Sequence, residues 1–322
     1  PALPFPTSSP TPISSVSVNP TAPPTTLQFL PSSSFFTSSL STMFEARLPQ
    51  SATLKKLLDS VKDLIAQTNF DCSNDGISLQ AMDEAHVCLA TMTLRSQAFD
   101  LYRCDKPLSM GINLTSFSKI LKCAGNDDSV KIVADDEGAD CAEFIFENKS
   151  ADRVAHFELK LMDIDSEHMS VPDDGDYQAI INLPSQEYRR IFSDLSIIGD
   201  TISIEVSKTS ACFSVEGDIG QGSLNIQQSD SADDKSAITI NVKEPVKMTF
   251  PGRYLNMFTK AVPISDSVTL CIQDGHPLAI EFALPEEAGF VRYFLAPKID
   301  QDDDDEDGEA KSDEAIDADE EE

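Results

Sequence analysis

Apolar residues along this chain keep two rhythms. Seven stretches alternate one residue in two: Phe44-Ala46-Leu48, Val130-Ile132, Phe144-Phe146, Ile202-Ile204-Val206, Ile238-Ile240-Val242, Val268-Leu270-Ile272 and Leu278-Ile280-Phe282. A period of two puts a strand's apolar side chains on one face, so these stretches predict antiparallel sheet. Four other stretches space their apolar residues three and four apart. They are Leu54, Leu57, Leu58, Val61, Leu64 and Ile65; Phe117, Ile120, Leu121 and Ala124; Tyr188, Ile191, Phe192 and Leu195; and Tyr254, Met257, Phe258 and Ala261. That spacing is the stripe of an amphipathic helix.

Each helical stretch follows a strand and a short turn: Pro49-Gln50-Ser51, Asn113-Leu114-Thr115-Ser116, Leu183-Pro184-Ser185 and Phe250-Pro251-Gly252. Pro, Ser, Thr and Asn suit helix starts because the first turn has N–H groups without helical partners. The third stretch resembles the first, and the fourth resembles the second. Asp128-Ser129-Val130-Lys131-Ile132 is matched by Asp266-Ser267-Val268-Thr269-Leu270. The chain therefore reads as a strand–helix–sheet unit used four times, two per domain. The predicted class is α+β with duplicated domains. The domains are expected at 43–159 and 178–299, joined by an extended acidic connector over 160–177.

The two ends do not fit either rhythm. Residues 1–42 contain no charged side chain and are dominated by Pro, Ser and Thr, so they are expected to be a disordered leader, with the fold starting at Met43. Residues 300–322 carry 15 acids and one Lys, a net charge of −14, and read as a self-repelling, disordered tail.

Charge changes the picture of the helices. The whole chain carries 24 basic and 55 acidic residues, a formal net charge of −31. The four helical stretches hold Lys55, Lys56, Lys62, Lys119, Lys122, Arg189, Arg190, Arg253 and Lys260 against Asp59, Asp63, Glu187 and Asp194. They are net positive in a chain that is otherwise strongly negative. Lys55 and Lys62, like Arg253 and Lys260, stand seven apart and share a helix face. An ordinary solvated face explains one such helix. Four related helices backed by a sheet would instead form one positive surface suited to phosphates without base readout.

Candidate chemistry is sparse. No phosphate-binding loop, nucleophile elbow or paired-histidine zinc motif occurs, so neither an enzyme nor a cofactor nor a metal site is expected. The acidic pairs near Asp127-Asp128 and Asp135-Asp136-Glu137 fit turns. The seven cysteines are odd in number and widely spaced, which favours buried thiols in a reducing compartment over disulfides.

Seven blocks are more specific: Phe44-Glu45-Ala46-Arg47-Leu48, Leu94-Arg95-Ser96, Tyr102-Arg103-Cys104-Asp105, Ser118-Lys119-Ile120-Leu121-Lys122-Cys123-Ala124-Gly125-Asn126, Lys160-Leu161-Met162-Asp163, Arg253-Tyr254-Leu255-Asn256 and Leu295-Ala296-Pro297-Lys298-Ile299. In this order they closely resemble the proliferating cell nuclear antigen family of eukaryotic sliding clamps, from Met43 to about Asp300. The resemblance implies a nuclear head-to-tail homotrimer whose twelve helices line a hole around duplex DNA. It implies docking of DNA polymerase delta, the clamp loader, flap endonuclease, DNA ligase and other proteins with a clamp-binding peptide. DNA-facing positions of the family fall on Lys55, Lys56, Lys62, Lys119, Lys122, Arg153, Arg190 and Lys260. Arg189 and Arg253 join them on charge. Two usual basic or His positions are Ser193 and Ile197 here, so that part of the channel is expected to be less positive. The peptide pocket is implied at Met82, His86, Val87, Leu89, Met169, Val171, Pro263, Phe294, Ala296 and Pro297. Met169 and Phe294 depart from the more usual Leu and Tyr. Subunit contacts are implied near 153–161 and 220–228, and Lys208 matches the family's modified lysine. A checkpoint-type heterotrimeric clamp subunit and an acidic-tailed histone-binding protein are the alternatives.

Overall fold

The structure is a computed structural model and describes residues 44–135, 140–148, 150–165, 169–170, 177–229 and 237–298. The expected leader and tail lie outside these residues. All seven alternating stretches are in strands or bridges. Strand β1 (Phe44–Leu48) buries Phe44, Ala46 and Leu48 and leaves Glu45 and Arg47 partly exposed, as a period of two requires.

The first half continues α1 (Ser51–Val61), β2 (Gln67–Ser73), β3 (Gly76–Met82), β4 (Cys88–Arg95), β5 (Leu101–Cys104), β6 (Leu108–Asn113), α2 (Leu114–Leu121), β7 (Ser129–Ala134), β8 (Cys141–Asn148) and β9 (Arg153–Lys160). The second repeats that order: β10 (Ala179–Pro184), α3 (Ser185–Leu195), β11 (Thr201–Val206), β12 (Ser210–Gly217), β13 (Gly220–Gln227), β14 (Thr239–Val242), β15 (Val246–Pro251), α4 (Gly252–Met257), β16 (Ser267–Ile272), β17 (Leu278–Ala283) and β18 (Gly289–Leu295). A β-α-β-β-β unit thus occurs four times, with β5 and β14 as the additions between units.

Sheet order carries the duplication further. The first half forms a five-stranded sheet, β5-β1-β7-β8-β9. The equivalent strands of the second half run β14-β10-β16-β17-β18. The run β4-β3-β2-β6 has its equivalent in the four-stranded sheet β13-β12-β11-β15. The halves meet where β18 pairs antiparallel with β4, from Gly289↔Leu94 to Leu295↔Cys88, which fuses two runs into one nine-stranded sheet. Gly289 opens this junction at φ +153, where an added Cβ would stand 1.9 Å from the Thr93 carbonyl oxygen. Only glycine fits there.

Two helical stretches end earlier than their apolar spacing predicts. The α part of the first stops at Val61, and Leu64 and Ile65 close a turn on its carbonyl. The fourth turns into a 3-10 segment over Phe258–Ile264. Pro263 has no N–H to give the Thr259 carbonyl, and its ring would crowd that carbonyl in an α-helix. Arg189 Nη2 takes the carbonyl instead, at 3.4 Å. Arg253 and Lys260 are therefore not on one continuous helix face.

Candidate DNA face and partner pocket

The helices form one layer. α2 packs on α1, α1 packs on the 3-10 segment after α4, and that segment and α4 both pack on α3. Large aromatic residues fix the layer to the sheets. Phe258 stacks on Tyr293 with ring centroids 4.2 Å apart, and Tyr293 donates its hydroxyl hydrogen to the Ser60 carbonyl at 3.0 Å. Tyr188 donates to the Leu255 carbonyl at 2.9 Å.

The basic residues of this layer fall into two groups. Some are already engaged. Lys55 Nζ donates to the Ala124 carbonyl at 2.6 Å and to Asn126 Oδ1 at 3.1 Å, where the α2 turn ends and carbonyls are left over. Lys62 pairs with Asp59, and Lys260 pairs with Asp63 across the layer. Arg253 Nη2 donates to the Tyr254 hydroxyl at 3.2 Å, and its guanidinium lies 4.8 Å from that ring's centroid. The others are Lys56, Lys119, Lys122 and Arg190, which are exposed and make no ion pair among the described residues. Arg153 is not on a helix. It opens β9, and its Nη2 meets the buried Asp128 carboxylate at 3.0 Å.

The opposite face of the nine-stranded sheet carries a separate apolar cluster. Leu89 pairs in register with Phe294, and both are buried with Tyr177 and Ala279. Met82, Ile180 and Cys271 pack against them. A hollow of 270 Å³ runs on between Tyr177, Ile180, Cys271 and Arg292. The expected connector is pinned beside this face in three places. Met162 N donates to the Gly111 carbonyl at 2.8 Å, Asn69 Nδ2 donates to the Ile164 carbonyl at 2.9 Å, and Gln80 exchanges two bonds with the Met169 backbone at 2.9 and 3.0 Å. Met169 stays exposed above the cluster.

Comparison with known proteins decides what this arrangement belongs to. The N-terminal domain of proliferating cell nuclear antigen matches residues 43–168, and its C-terminal domain matches residues 171–298. Proliferating cell nuclear antigen of Dictyostelium discoideum is 48% identical over 259 residues, which cover 80% of this chain and 100% of that protein. The chain belongs to the proliferating cell nuclear antigen family. It is a DNA sliding clamp and a polymerase processivity factor of replication and repair, with the duplicated clamp fold. Like the family, it is a clamp and scaffold that encircles DNA and docks clamp-binding partners.

Most of the pocket residues expected from the sequence come together in this clamp. Met82, His86, Val87 and Leu89 flank one hairpin, and Ala296 N donates to the Val87 carbonyl at 3.0 Å, which brings Phe294, Ala296 and Pro297 alongside. Met169 reaches the same edge through Gln80. Val171 lies outside the described residues. Pro263 is a correction. It sits in the helix layer, which packs on the Tyr293 side of the sheet, whereas Leu89 and Phe294 point to the other side. Pro277 is better placed, because it precedes Leu278, which pairs with Leu295. Tyr177, Ile180, Cys271 and Ala279 were not anticipated. Their only sequence signal was an apolar residue on the off-beat of a strand, as at Ile180, Cys271 and Ala279. Lys208 is exposed in the turn between β11 and β12.

The cysteines are free thiols. Burial pushes the Cys72 and Cys88 thiols far up, which keeps them protonated and unreactive.

Proposed function

We propose that three copies of this chain close a head-to-tail ring around duplex DNA in the nucleus and hold DNA polymerase delta, the clamp loader, flap endonuclease, DNA ligase and similar proteins on it. The observation that carries this reading is the junction between the halves. β18 and β4 are the equivalents of β9 and β13. Within the chain β18 pairs with β4, while β9 and β13 end their sheets and have no strand partner on the outer side among the described residues. An edge that repeats an internal junction calls for the same pairing between copies, and a head-to-tail contact that closes makes a ring. The threefold number comes from the family.

In that ring the helix layer faces the hole. Lys55, Lys56, Lys62, Lys119, Lys122, Arg153, Arg189, Arg190, Arg253 and Lys260 supply its phosphate contacts, with no base readout. The cluster of Met82, His86, Val87, Leu89, Met169, Phe294, Ala296 and Pro297 receives the apolar anchors of partner peptides. Residues 43–159 and 178–299 are the two domains, with the connector over 160–177 between them. Lys208 is a modification site, and the protein catalyses no reaction of its own.

Loading tests the reading. Clamp placed by a clamp loader on closed circular DNA should stay bound through a high-salt wash and leave when the circle is cut. Equal retention on linear and circular DNA would overturn encirclement. Light scattering should give about three times the 35.1 kDa chain mass, and a stable monomer would overturn the ring.

A further inference from the structure

The hairpin between β3 and β4 carries four residues of the pocket, and one carboxylate organises it. Asp83 is 7% exposed. Its Oδ1 accepts the N–H groups of Val87 at 2.8 Å and Cys88 at 2.7 Å, and its Oδ2 accepts that of Ala85 at 3.3 Å. The Asp83 carbonyl accepts His86 N at 3.0 Å, and His86 sits in the left-handed region at φ +55. A non-glycine residue held there needs its surroundings to fix it. The turn sets His86 Nδ1 3.1 Å from Met82 Sδ.

The second bond to Oδ2 comes from the far side of the molecule. Tyr254, at the start of α4, donates its phenol hydrogen to Asp83 Oδ2 at 2.5 Å, across 171 positions of sequence. Tyr254 is buried and accepts from Arg253, an exposed cation of the helix layer. A cleft of 390 Å³ separates the two faces here, with Lys62, Arg253 and Tyr254 on one wall and Asp83, Glu84 and Ala85 on the other. The phenol–carboxylate bond ties one wall of that cleft directly to the other.

We propose that Tyr254 is a positioning residue for partner-peptide capture, holding the Asp83 carboxylate so that the hairpin of Met82, His86, Val87 and Leu89 keeps the shape of the pocket rim. This rests on the reading of that cluster as the peptide pocket. A buried carboxylate with one acceptor site left empty rearranges to fill it, and rearrangement releases the Val87 and Cys88 amides. The pocket is then competent for only a fraction of the time, and apparent affinity falls by that fraction.

The test removes one oxygen. Tyr254→Phe keeps the ring and its packing. Binding of a fluorescein-labelled synthetic clamp-binding peptide should weaken about tenfold. Hydrogen exchange at the Val87 and Cys88 amides should speed up in the peptide-free protein by a similar factor, with amides of β16 and β17 unchanged. Asp83→Asn should do the same, and the double variant should be no weaker than either single one. Peptide affinity and amide exchange within twofold of the parent in Tyr254→Phe would overturn the proposal. If the parent itself does not bind the peptide, the pocket reading fails instead, and the exchange measurement still decides whether Tyr254 holds the hairpin. If Asp83→Asn does not fold, Tyr254→Phe alone decides the outcome.

Discussion

Arg153 Nη2 meets the carboxylate of Asp128 at 3.0 Å, and Asp128 is otherwise buried. The same carboxylate accepts Gly125 N at 2.7 Å and Asn148 Nδ2 at 2.6 Å. It therefore ties the turn after α2 to the ends of β8 and β9. A buried acceptor with three donors leaves three groups unpaired when it is removed. Asp128→Ala should cost about 3 kcal/mol of unfolding free energy, read from denaturant titration. A loss under about 0.5 kcal/mol would mean that water replaces the carboxylate fully.

The same bonds set an acid limit. The Gly125 amide above all, helped by Asn148 and Arg153, holds Asp128 below its ordinary range in spite of its burial. At Asp83 burial pushes the other way, and the Tyr254 hydroxyl with the Cys88, Val87 and Ala85 amides outweighs it. A carboxyl with a lowered folded pKa stabilises the fold above its unfolded value, about 3.9, and that contribution is lost as pH falls through the folded value. Stability attributable to these two groups should be flat from pH 7 to about 5 and fall below about 4. In Asp128→Asn the acid-side fall should be shallower than in the parent.

Basic residues of the helix layer should not contribute equally to DNA binding. Lys62 and Lys260 are paired with Asp59 and Asp63, and a phosphate must compete for them. Lys56, Lys119, Lys122 and Arg190 have no such competitor among the described residues. Alanine at any of these four should flatten the slope of log affinity against log salt by about 0.9, and alanine at Lys62 or Lys260 by less. Ser193 and Ile197 stand at the same face, and Ile197 is 75% exposed. Ser193→Arg with Ile197→Lys should steepen the slope by about 2. An unchanged slope would place that turn away from DNA.

Phe294 is buried against Leu89, Tyr177 and Ala279 and has no hydroxyl to offer a partner. Phe294→Ala should weaken binding of a clamp-binding peptide by a factor of about 30, since a central aromatic contact carries about 2 kcal/mol. Phe294→Tyr adds only a hydroxyl at the edge of the pocket. Calorimetry with peptides that differ in their polar flanks should show a changed preference rather than a uniform gain. A uniform loss in both variants would mean that Phe294 supports the sheet and not the ligand.

Strand and helix periodicity exposed the fourfold unit because each unit buries one face. Phe44-Ala46-Leu48 and the stripe Tyr188, Ile191, Phe192 and Leu195 read directly as what they are. Strands buried on both faces were harder. β4 buries Cys88, Leu89 and Ala90 in succession, and its pairing with β18 joins residues nearly two hundred positions apart. No periodicity reports that. The helix layer was legible from charge, but the ion pairs of Lys62 and Lys260 were not, since Asp63 and Lys260 meet only in the fold. The pocket needed the family, and Pro263 was misplaced because an apolar loop residue looks alike on either face of a sheet. The Asp83–Tyr254 bond had no local signal at all.

The acidic tail, residues 300–322, lies outside the described residues, but its point of departure is fixed. Lys298 N donates to the Thr249 carbonyl at 2.7 Å, and Lys298 Nζ bonds Thr201 Oγ1, which anchors the chain to β15 and β11. A charge of −14 attached there repels phosphate over a distance set by screening. The Debye length is about 30 Å at 0.01 M salt and about 8 Å at 0.15 M. Deleting 300–322 should therefore speed association with linear DNA at about 0.01 M salt and change it little at about 0.15 M. Stimulation of polymerase by loaded clamp should survive the deletion, because retention is topological and the tail is not part of the ring's strands. Loss of stimulation would instead favour the reading in which the tail itself carries the main activity, as in a histone-binding protein. Equal association rates at both salts would show that the tail's charge does not reach the DNA face.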